Sequence, residues 1–248
     1  MKRTALTLIL SLTFLAPASA VTLVNPSLED LSASYVDIAG ADRMEGVAPD
    51  GWSIALNSPG WYWGEGPSNL WHTPFGDHFG MGAATGQTGS AYREGISQSV
   101  SGLTVGATYD IGFSHANGLF YNPGTPGFYE GVGTTGGWEV LIDGSSIALV
   151  SSTNDNSIAA PEHTLLWQAS TATFAATATT HEIQFIAFKP DGPQDPTFQF
   201  LDDVSVTLVP EPSSFVLCGL GLIATGLYLR RRGAAARRGD TFLRTSQN

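Results

Sequence analysis

Apolar residues follow two different patterns along this chain. Near each end they form one nearly uninterrupted run, over residues 5–16 and 215–229, whereas between these runs apolar and polar residues alternate in short stretches. Alternation with a period of two is typical of β-strands with one buried face, while an uninterrupted run is typical of a targeting or membrane segment. The pattern therefore predicts a β-rich central region between two segments of a different kind.

Nine stretches of the central region are rich in β-branched and aromatic residues and are separated by turn residues. They are Val21–Val24, Trp52–Leu56, Ile96–Val100, Thr108–His115, Trp138–Ile142, Ile147–Val150, Leu165–Phe174, Glu182–Phe188 and Phe198–Leu208. Asp143-Gly144 lies between two of them, and Asp-Gly strongly favours a two-residue hairpin turn. We expect an all-β fold, an antiparallel β-sandwich of the jelly-roll type.

Three longer segments do not alternate and are predicted to be loops: Tyr35–Asp50, Trp61–Gly76 and Phe120–Gly137. Loops of this length often carry function, and sugar rings stack their C–H faces on aromatic side chains. The aromatic residues predicted to bind a ligand are Trp61, Tyr62, Trp63, Trp71, Tyr121 and Tyr129. For any single ring, packing of its loop onto the sandwich is the alternative. Trp52 and Trp138 lie on predicted strands and are assigned to the core.

Charge is distributed unevenly. Residues 21–208 contain three cationic side chains against 20 carboxylates. A nucleic-acid-binding protein needs the opposite balance, so we expect no nucleic-acid partner. The excess of carboxylates leaves oxygen ligands for a hard cation such as calcium. The single cysteine, Cys218, lies in the C-terminal apolar run, so the central region has no disulfide bond.

The N-terminus has the three parts of a secretory signal peptide. Met1-Lys2-Arg3 is basic, an apolar run follows, and Ala18-Ser19-Ala20 offers small residues at a cleavage site. We expect residues 1–20 to be removed by signal peptidase, leaving residues 21–208 as the ectodomain.

The C-terminus has an ordered series of elements. Pro210-Glu211-Pro212 is stiff and non-helical, residues 215–229 are apolar, and Arg230, Arg231 and Arg232 end the run. A helix of that length spans about 22 Å, short of the ~30 Å hydrocarbon core, so we expect a short transmembrane helix. The arginines are expected on the cytoplasmic side, which makes residues 233–248 a basic cytoplasmic tail.

Residues 209–232 resemble the PEP-CTERM sorting signal of exopolysaccharide-producing Gram-negative bacteria. The resemblance implies recognition and cleavage by an exosortase. It also implies export through the inner membrane, transient anchoring, and final placement at the cell surface or in the extracellular matrix. The extension over 233–248 departs from the usual pattern, and a plain single-pass anchor is the alternative.

Asp202 is an unusual residue in the last predicted strand, Phe198–Leu208, because it is a carboxylate on an apolar face. Phe198, Phe200, Asp202, Val204 and Val206 alternate, so this apolar face is expected to point inward. A buried carboxylate is costly unless it is paired or bound to a metal ion. The alternatives are a hydrogen-bonded buried acid, or an exposed acid beside a bulge. Asp203 would replace Asp202 as a ligand if the register slipped by one residue.

Three segments taken in order resemble the galactose-binding-like jelly roll of many carbohydrate-binding modules. They are 23–30 with 49–52, 96–109, and 200–206. Leu28 stands where that family usually has an aromatic residue, and Pro26 where it usually has glycine. The resemblance implies a non-catalytic, carbohydrate-binding domain with a structural calcium ion. The matching calcium ligands are Glu29 and Asp202, with Asn25 nearby.

Catalytic motifs are missing from the sequence. The five histidines have no zinc-binding spacing, and residues 112–116 lack the second glycine of a Gly-x-Ser-x-Gly motif. His115 continues an apolar strand face and is interpreted as a core residue. The family resemblance and the aromatic loops instead imply a surface or matrix protein that binds extracellular polysaccharide and is not an enzyme. A structural protein without a glycan ligand is the first alternative, and a polysaccharide-active enzyme the second.

Overall fold

The computed structural model describes residues 20–31, 43–57, 59–63, 73–86, 91–118, 136–152, 166–190, 197–210, 219–228 and 230. The chain divides into two units, Met1–Leu208 and Val209–Asn248. Eleven strands are described in the first unit, and a helix is described over 219–228 in the second. The strands are β1 (Arg43–Glu45), β2 (Ser53–Leu56), β3 (Gly60–Trp63), β4 (His78–Ala84), β5 (Gly95–Ser101), β6 (Thr108–Gly118), β7 (Gly137–Ile142), β8 (Ser145–Ser151), β9 (Gln168–Ala175), β10 (Thr180–Phe188) and β11 (Thr197–Leu208).

The strands form two antiparallel sheets. The six-stranded sheet has the order β1-β3-β4-β11-β6-β9, and the five-stranded sheet has the order β2-β5-β10-β7-β8. Neighbouring strands in these sheets are mostly distant in sequence, such as β4 beside β11 and β5 beside β10. The predicted all-β sandwich is confirmed.

The main core fills the space between the two sheets. Its largest side chains are Trp138, Tyr109 and Phe185, all fully buried. Trp138 also links the sheets, because its indole N–H donates to the carbonyl oxygen of Phe200 at 3.0 Å. Trp52, one residue before β2, is likewise buried in this core. Both tryptophans assigned to the core therefore lie there.

The predicted hairpin is present between β7 and β8. Asp143 has φ 49° and Gly144 has φ 78°, so both turn residues are in the left-handed region that a type I′ turn requires. Asp143 also accepts hydrogen bonds from the Glu182 amide at 2.9 Å and from the His181 ring at 2.6 Å. This turn is thereby tied to β10.

Three strands were not predicted, and β4 shows why. Its sequence, HFGMGAA, is poor in β-branched residues, yet almost every residue in it is buried. A Cβ atom at Gly82 would lie 2.9 Å from the Trp138 ring, so glycine allows the two sheets to approach there. The close approach of the two sheets requires small residues in β4, and small residues have low β-strand propensity, so the sequence does not indicate a strand. β1 and β3 lie inside segments predicted as loops.

The predicted first strand, Val21–Val24, is reduced to one bridge between Thr22 and Ser101. At Val24 the backbone N–H and carbonyl are hydrogen-bonded by the side chain of Gln98 and not by the backbone of a neighbouring strand. The Gln98 amide accepts from the Val24 N–H and donates to the Val24 carbonyl, both at 2.8 Å.

The second unit is described only in part. In its described residues the helix over 219–228 is uncharged. Within the part of the chain that the structure describes, no helix is both long and apolar enough to cross a membrane. The predicted signal peptide, apart from Ala20, lies outside the described residues, as do residues 231–248.

Candidate functional site

The segment 25–31 folds into a compact loop at the start of the sandwich. The Asn25 amide bonds both the N–H and the carbonyl of Asp30, at 3.1 and 2.8 Å. Asn25 and Leu28 have φ values of 47° and 58°, and Leu28 is fully buried. This turn fixes the direction in which the neighbouring Glu29 side chain leaves the loop.

Glu29 lies in a cradle of N–H groups provided by the segment before β4. One carboxylate oxygen accepts from the amides of Asp77 and His78 at 3.0 and 3.2 Å. The other contacts the His78 ring Nδ1 at 2.7 Å. A Cβ atom at Gly76 would lie 1.8 Å from Glu29 Oε1, so only glycine leaves room for this carboxylate.

Asp202 is a fully buried carboxylate on β11. It accepts hydrogen bonds from the Thr73 hydroxyl and from the Asp203 amide, the latter at 2.7 Å. Burial raises the pKa of Asp202 to about 7. These two hydrogen bonds oppose the rise, while the charges of Glu29 and Asp203 add to it. Asp202 is therefore an acid in a site that disfavours its negative charge.

The face predicted for Asp202 is wrong, although its burial was expected. The pairing of β11 with β6 shifts register between Asp202 and Ser205, and Asp203 has φ 48°. This bulge moves Val204 onto the inter-sheet face beside Leu201. Phe200 and Asp202 consequently lie on the opposite face of the six-stranded sheet, here called the outer face.

The structure brings together two of the three predicted calcium ligands. Glu29 lies close enough to Asp202 for its negative charge to raise the pKa of Asp202. Asn25 is not part of this pair, since its side chain is bonded to Asp30. Among the described residues, no group of three or more His, Cys, Asp or Glu side chains is placed to hold a metal ion. Sequence reasoning missed Thr73 and His78, which contact the two carboxylates directly.

The outer face carries a second, aromatic cluster. Phe79, Met81, Ala116 and Phe200 are buried there. The Phe79 ring packs edge-on against Phe200 and Trp167, with ring centroids 5.2 and 5.6 Å apart. These residues form a rigid apolar floor on the side of the sheet that faces away from the main core.

Phe75 and Trp167 lie at the exposed border of this cluster. Their rings meet edge-on with centroids 6.2 Å apart, and Phe75 is 39% exposed. Trp167 is half-buried. Neither residue was predicted as a ligand contact, because Trp167 falls in a predicted strand and Phe75 ends a predicted loop. Their pairing becomes visible only when β4 and β9 are placed in one sheet.

The predicted aromatic ligand set is described only in part. Trp61, Tyr62 and Trp63 belong to β3, where Tyr62 pairs with Phe79 of β4 in the backbone register. Trp71, Tyr121 and Tyr129 lie outside the described residues. Their role in ligand binding stays a prediction.

His115 lies on the inter-sheet face, as expected for a core residue, and is fully buried. Its Nε2 atom contacts the Ser170 hydroxyl at 2.8 Å and the Gln168 amide nitrogen at 3.1 Å. Because an amide nitrogen donates, Nε2 is the acceptor and Nδ1 carries the proton. Burial lowers the pKa of His115 to about 4, so the ring is neutral at physiological pH.

Comparison with known proteins adds two findings. Residues 208–232 match the PEP-CTERM protein-sorting motif, which confirms the resemblance of the C-terminal segment. Such a motif marks an exported protein that is anchored in the membrane before exosortase processing. Pro210 and Arg230 of the motif are described here, whereas Glu211, Pro212, Arg231 and Arg232 are not. No curated protein matches the chain in sequence.

Two of the solved structures that match this chain are a carbohydrate-binding module and a bacteriophage tailspike domain. TmCBM61, a carbohydrate-binding module determined in complex with β-1,4-galactotriose, is 14% identical with a TM-score of 0.42, covering 77% of this chain and all of that one. The enzymatically active domain of tailspike protein 4 from bacteriophage CBA120 is 14% identical with a TM-score of 0.35. That match covers 64% of this chain and 20% of the tailspike chain.

Proposed function

We propose that this exported, exosortase-targeted protein binds a carbohydrate through the outer face of its six-stranded sheet and does not catalyse its cleavage. The PEP-CTERM motif at residues 208–232 marks the chain for export, and polysaccharides are available ligands outside the cell. The observation that carries the proposal is the partly exposed pair of Phe75 and Trp167 on a buried aromatic floor.

The chemistry of this pair suits a sugar. Pyranose C–H faces pack on aromatic rings, and a ring held rigidly loses little entropy on binding. Trp167 is held by Phe79 on one side and Phe75 on the other. The predicted ligand residues Trp61, Tyr62 and Trp63 belong to β3, and this strand pairs directly with β4, which carries Phe79.

The test is affinity electrophoresis of the full chain in mild detergent against a panel of neutral and acidic polysaccharides. We expect retardation by at least one polysaccharide, and a loss of about tenfold or more in affinity for Trp167→Ala and Phe75→Ala. Tyr92→Ala is the control, because Tyr92 is 42% exposed but lies outside the aromatic cluster. Thermal melts verify that each variant is folded.

Two outcomes would contradict this proposal. Absence of retardation across the panel would favour a structural matrix protein without a glycan ligand. Release of reducing sugar from a retarding polysaccharide, abolished by a carboxylate substitution, would favour an enzyme.

We further propose that a calcium ion stabilises the domain at Asp202 and Glu29. The donor chemistry fits a hard cation in part: the charge of Glu29 contributes to the raised pKa of Asp202, and the Thr73 hydroxyl lies beside Asp202. Asn25 does not fit, and the N–H cradle already occupies both Glu29 oxygens. Backbone carbonyls or water would have to complete the shell of six to eight oxygens.

Calcium binding is tested by thermal unfolding at pH 8 with calcium or with EDTA. We expect a higher Tm in calcium, because an ion that binds only the folded state stabilises it by mass action. Asp202→Asn should remove the calcium effect and should exceed the wild type in EDTA, since it removes a buried charge. Asp110→Asn is the control on a neighbouring strand, where Asp110 accepts from Thr173 at 2.6 Å. A Tm that is equal in calcium and EDTA rejects the ion.

A further inference from the structure

One end of the inter-sheet space is polar, in contrast to the apolar middle. At the end where β6 and β8 finish and β11 begins, four inward-facing side chains form what we call the upper polar layer: His115, Ser152, Thr197 and Gln199. The strand register places Leu201 opposite His115 and Gln199 opposite Asn117, which continues the layer. Gln199 and His115 are fully buried, and Thr197 and Ser152 nearly so.

The atoms of this layer lack hydrogen-bond partners within the protein. In the described part of the chain, no partner is found for His115 Nδ1, Ser152 Oγ, Thr197 Oγ1, or either amide atom of Gln199. The contrast with Gln98 is direct, because Gln98 is also buried but bonds Val24 and Gly51 through both of its amide atoms. A buried polar atom without a partner costs about 1–3 kcal/mol, so several in one place call for an occupant.

The chemistry of the orphaned atoms identifies that occupant. His115 Nδ1–H and Gln199 Nε2 donate, Gln199 Oε1 accepts, and the two hydroxyl groups do both. Because donors and acceptors are mixed, the layer matches neither a cation site, which is lined by acceptors, nor an anion site, which is lined by donors. It suits a small neutral molecule whose oxygen both donates and accepts, and a buried water molecule makes two to four such bonds.

We infer that the upper polar layer is an internal hydration site, in which ordered water bridges the ends of β6, β8 and β11. The site gathers strand ends from both sheets, since Ser152 follows β8 of the five-stranded sheet and Thr197 begins β11 of the other. Gly136 belongs to the wall as well, because a Cβ atom there would lie 2.3 Å from Gln199 Nε2. The water thus replaces the interdigitating side chains that join the sheets elsewhere.

The sign of a stability change tests this inference in the full chain. If water bridges the layer, Gln199→Met and Thr197→Val remove partners of that water and lower the Tm by about 2–4 °C each. If no water is bound there, the same substitutions remove buried polar groups that have no hydrogen-bond partner, and they raise the Tm. Gln98→Met is the matched control, because it removes three hydrogen bonds within the protein and must lower the Tm in either case.

A direct measurement accompanies the melts. A high-resolution crystal structure should show ordered water within hydrogen-bond distance of Gln199 and Thr197, and this water should be displaced in Gln199→Met. A raised Tm for both Gln199→Met and Thr197→Val, or a crystal structure in which a protein group occupies these atoms, would overturn the inference. Density for a saccharide hydroxyl in place of water would also overturn it.

Discussion

Two buried side chains of this domain hold their protons in opposite ways. Burial raises the pKa of Asp202 to about 7 and lowers that of His115 to about 4. From about pH 4 to 6.5, folded Asp202 is protonated while its unfolded form is ionised, so stability falls as pH rises. Over the same window folded His115 is neutral while its unfolded form is protonated, so stability rises with pH. The two contributions offset each other.

Replacing one of these two residues should reveal the pH dependence of stability that the other contributes. In EDTA, we expect His115→Gln to make the free energy of unfolding fall with pH, relative to the wild type, by roughly 1 kcal/mol per pH unit between pH 4.5 and 6. Asp202→Asn should change the slope by the same amount in the opposite direction. Urea unfolding at several pH values measures both slopes. Parallel curves for His115→Gln and the wild type would contradict the buried neutral histidine.

At the scale of the strand, the bulge at Asp203 decides which residues reach which side of the sheet. It separates Phe200 and Asp202 on the outer face from Val204 on the inter-sheet face. The alternating sequence cannot reveal this switch, since apolar residues occupy both faces. Asp202 is buried as predicted, but for a different reason: the outer face is itself covered around Phe79 and Phe200.

The backbone of the bulge gives a test. Asp203 has φ 48°, a conformation that aspartate tolerates and β-branched residues do not. We expect Asp203→Val to lower the free energy of unfolding by about 1–2 kcal/mol, whereas Asp203→Gly should be nearly neutral. Ser205→Val, at an exposed position beyond the bulge, is the control. Urea unfolding that gives equal losses for valine at 203 and 205 would argue against a strained bulge.

The elements differ in how well the sequence predicts them. Strands such as β6, β10 and β11 are rich in β-branched and aromatic residues and are predicted from the sequence, as is the Asp143-Gly144 turn. β4 is not predicted, because it is poor in β-branched residues and has glycine at position 82, where the Trp138 ring needs the space. The aromatic pair of the candidate site escaped prediction for a related reason. Phe75 and Trp167 are 92 positions apart in sequence, and only the sheet order brings them together.

For the whole molecule, the C-terminal motif determines where the domain goes. Residues 208–232 match the sorting motif, and Glu211 lies near its start, between Pro210 and Pro212. In the native host, we expect Glu211→Ala to leave the uncleaved chain in the membrane fraction, while the wild type appears as a shorter product. An immunoblot of fractionated cells measures the two forms. Thr207→Ala, just before the motif, is the control and should be processed normally.

If Glu211→Ala were processed as well as the wild type, the tail would act as a plain anchor and not as a cleavage signal. A processed product for Glu211→Ala with unchanged polysaccharide binding would leave the carbohydrate proposal intact. Sorting and ligand binding are therefore tested by different variants and different measurements.

The position of β11 has a mechanical consequence. This strand ends at Leu208, where the sorting motif begins, and it lies between β4 and β6 inside the six-stranded sheet. A pulling force on the C-terminus enters the domain along β11 and loads its hydrogen bonds to β6 together, in shear. Such bonds share the load, whereas an edge strand peeled sideways releases them one at a time. A domain tethered through its last strand is thus connected at a point well suited to bear tension.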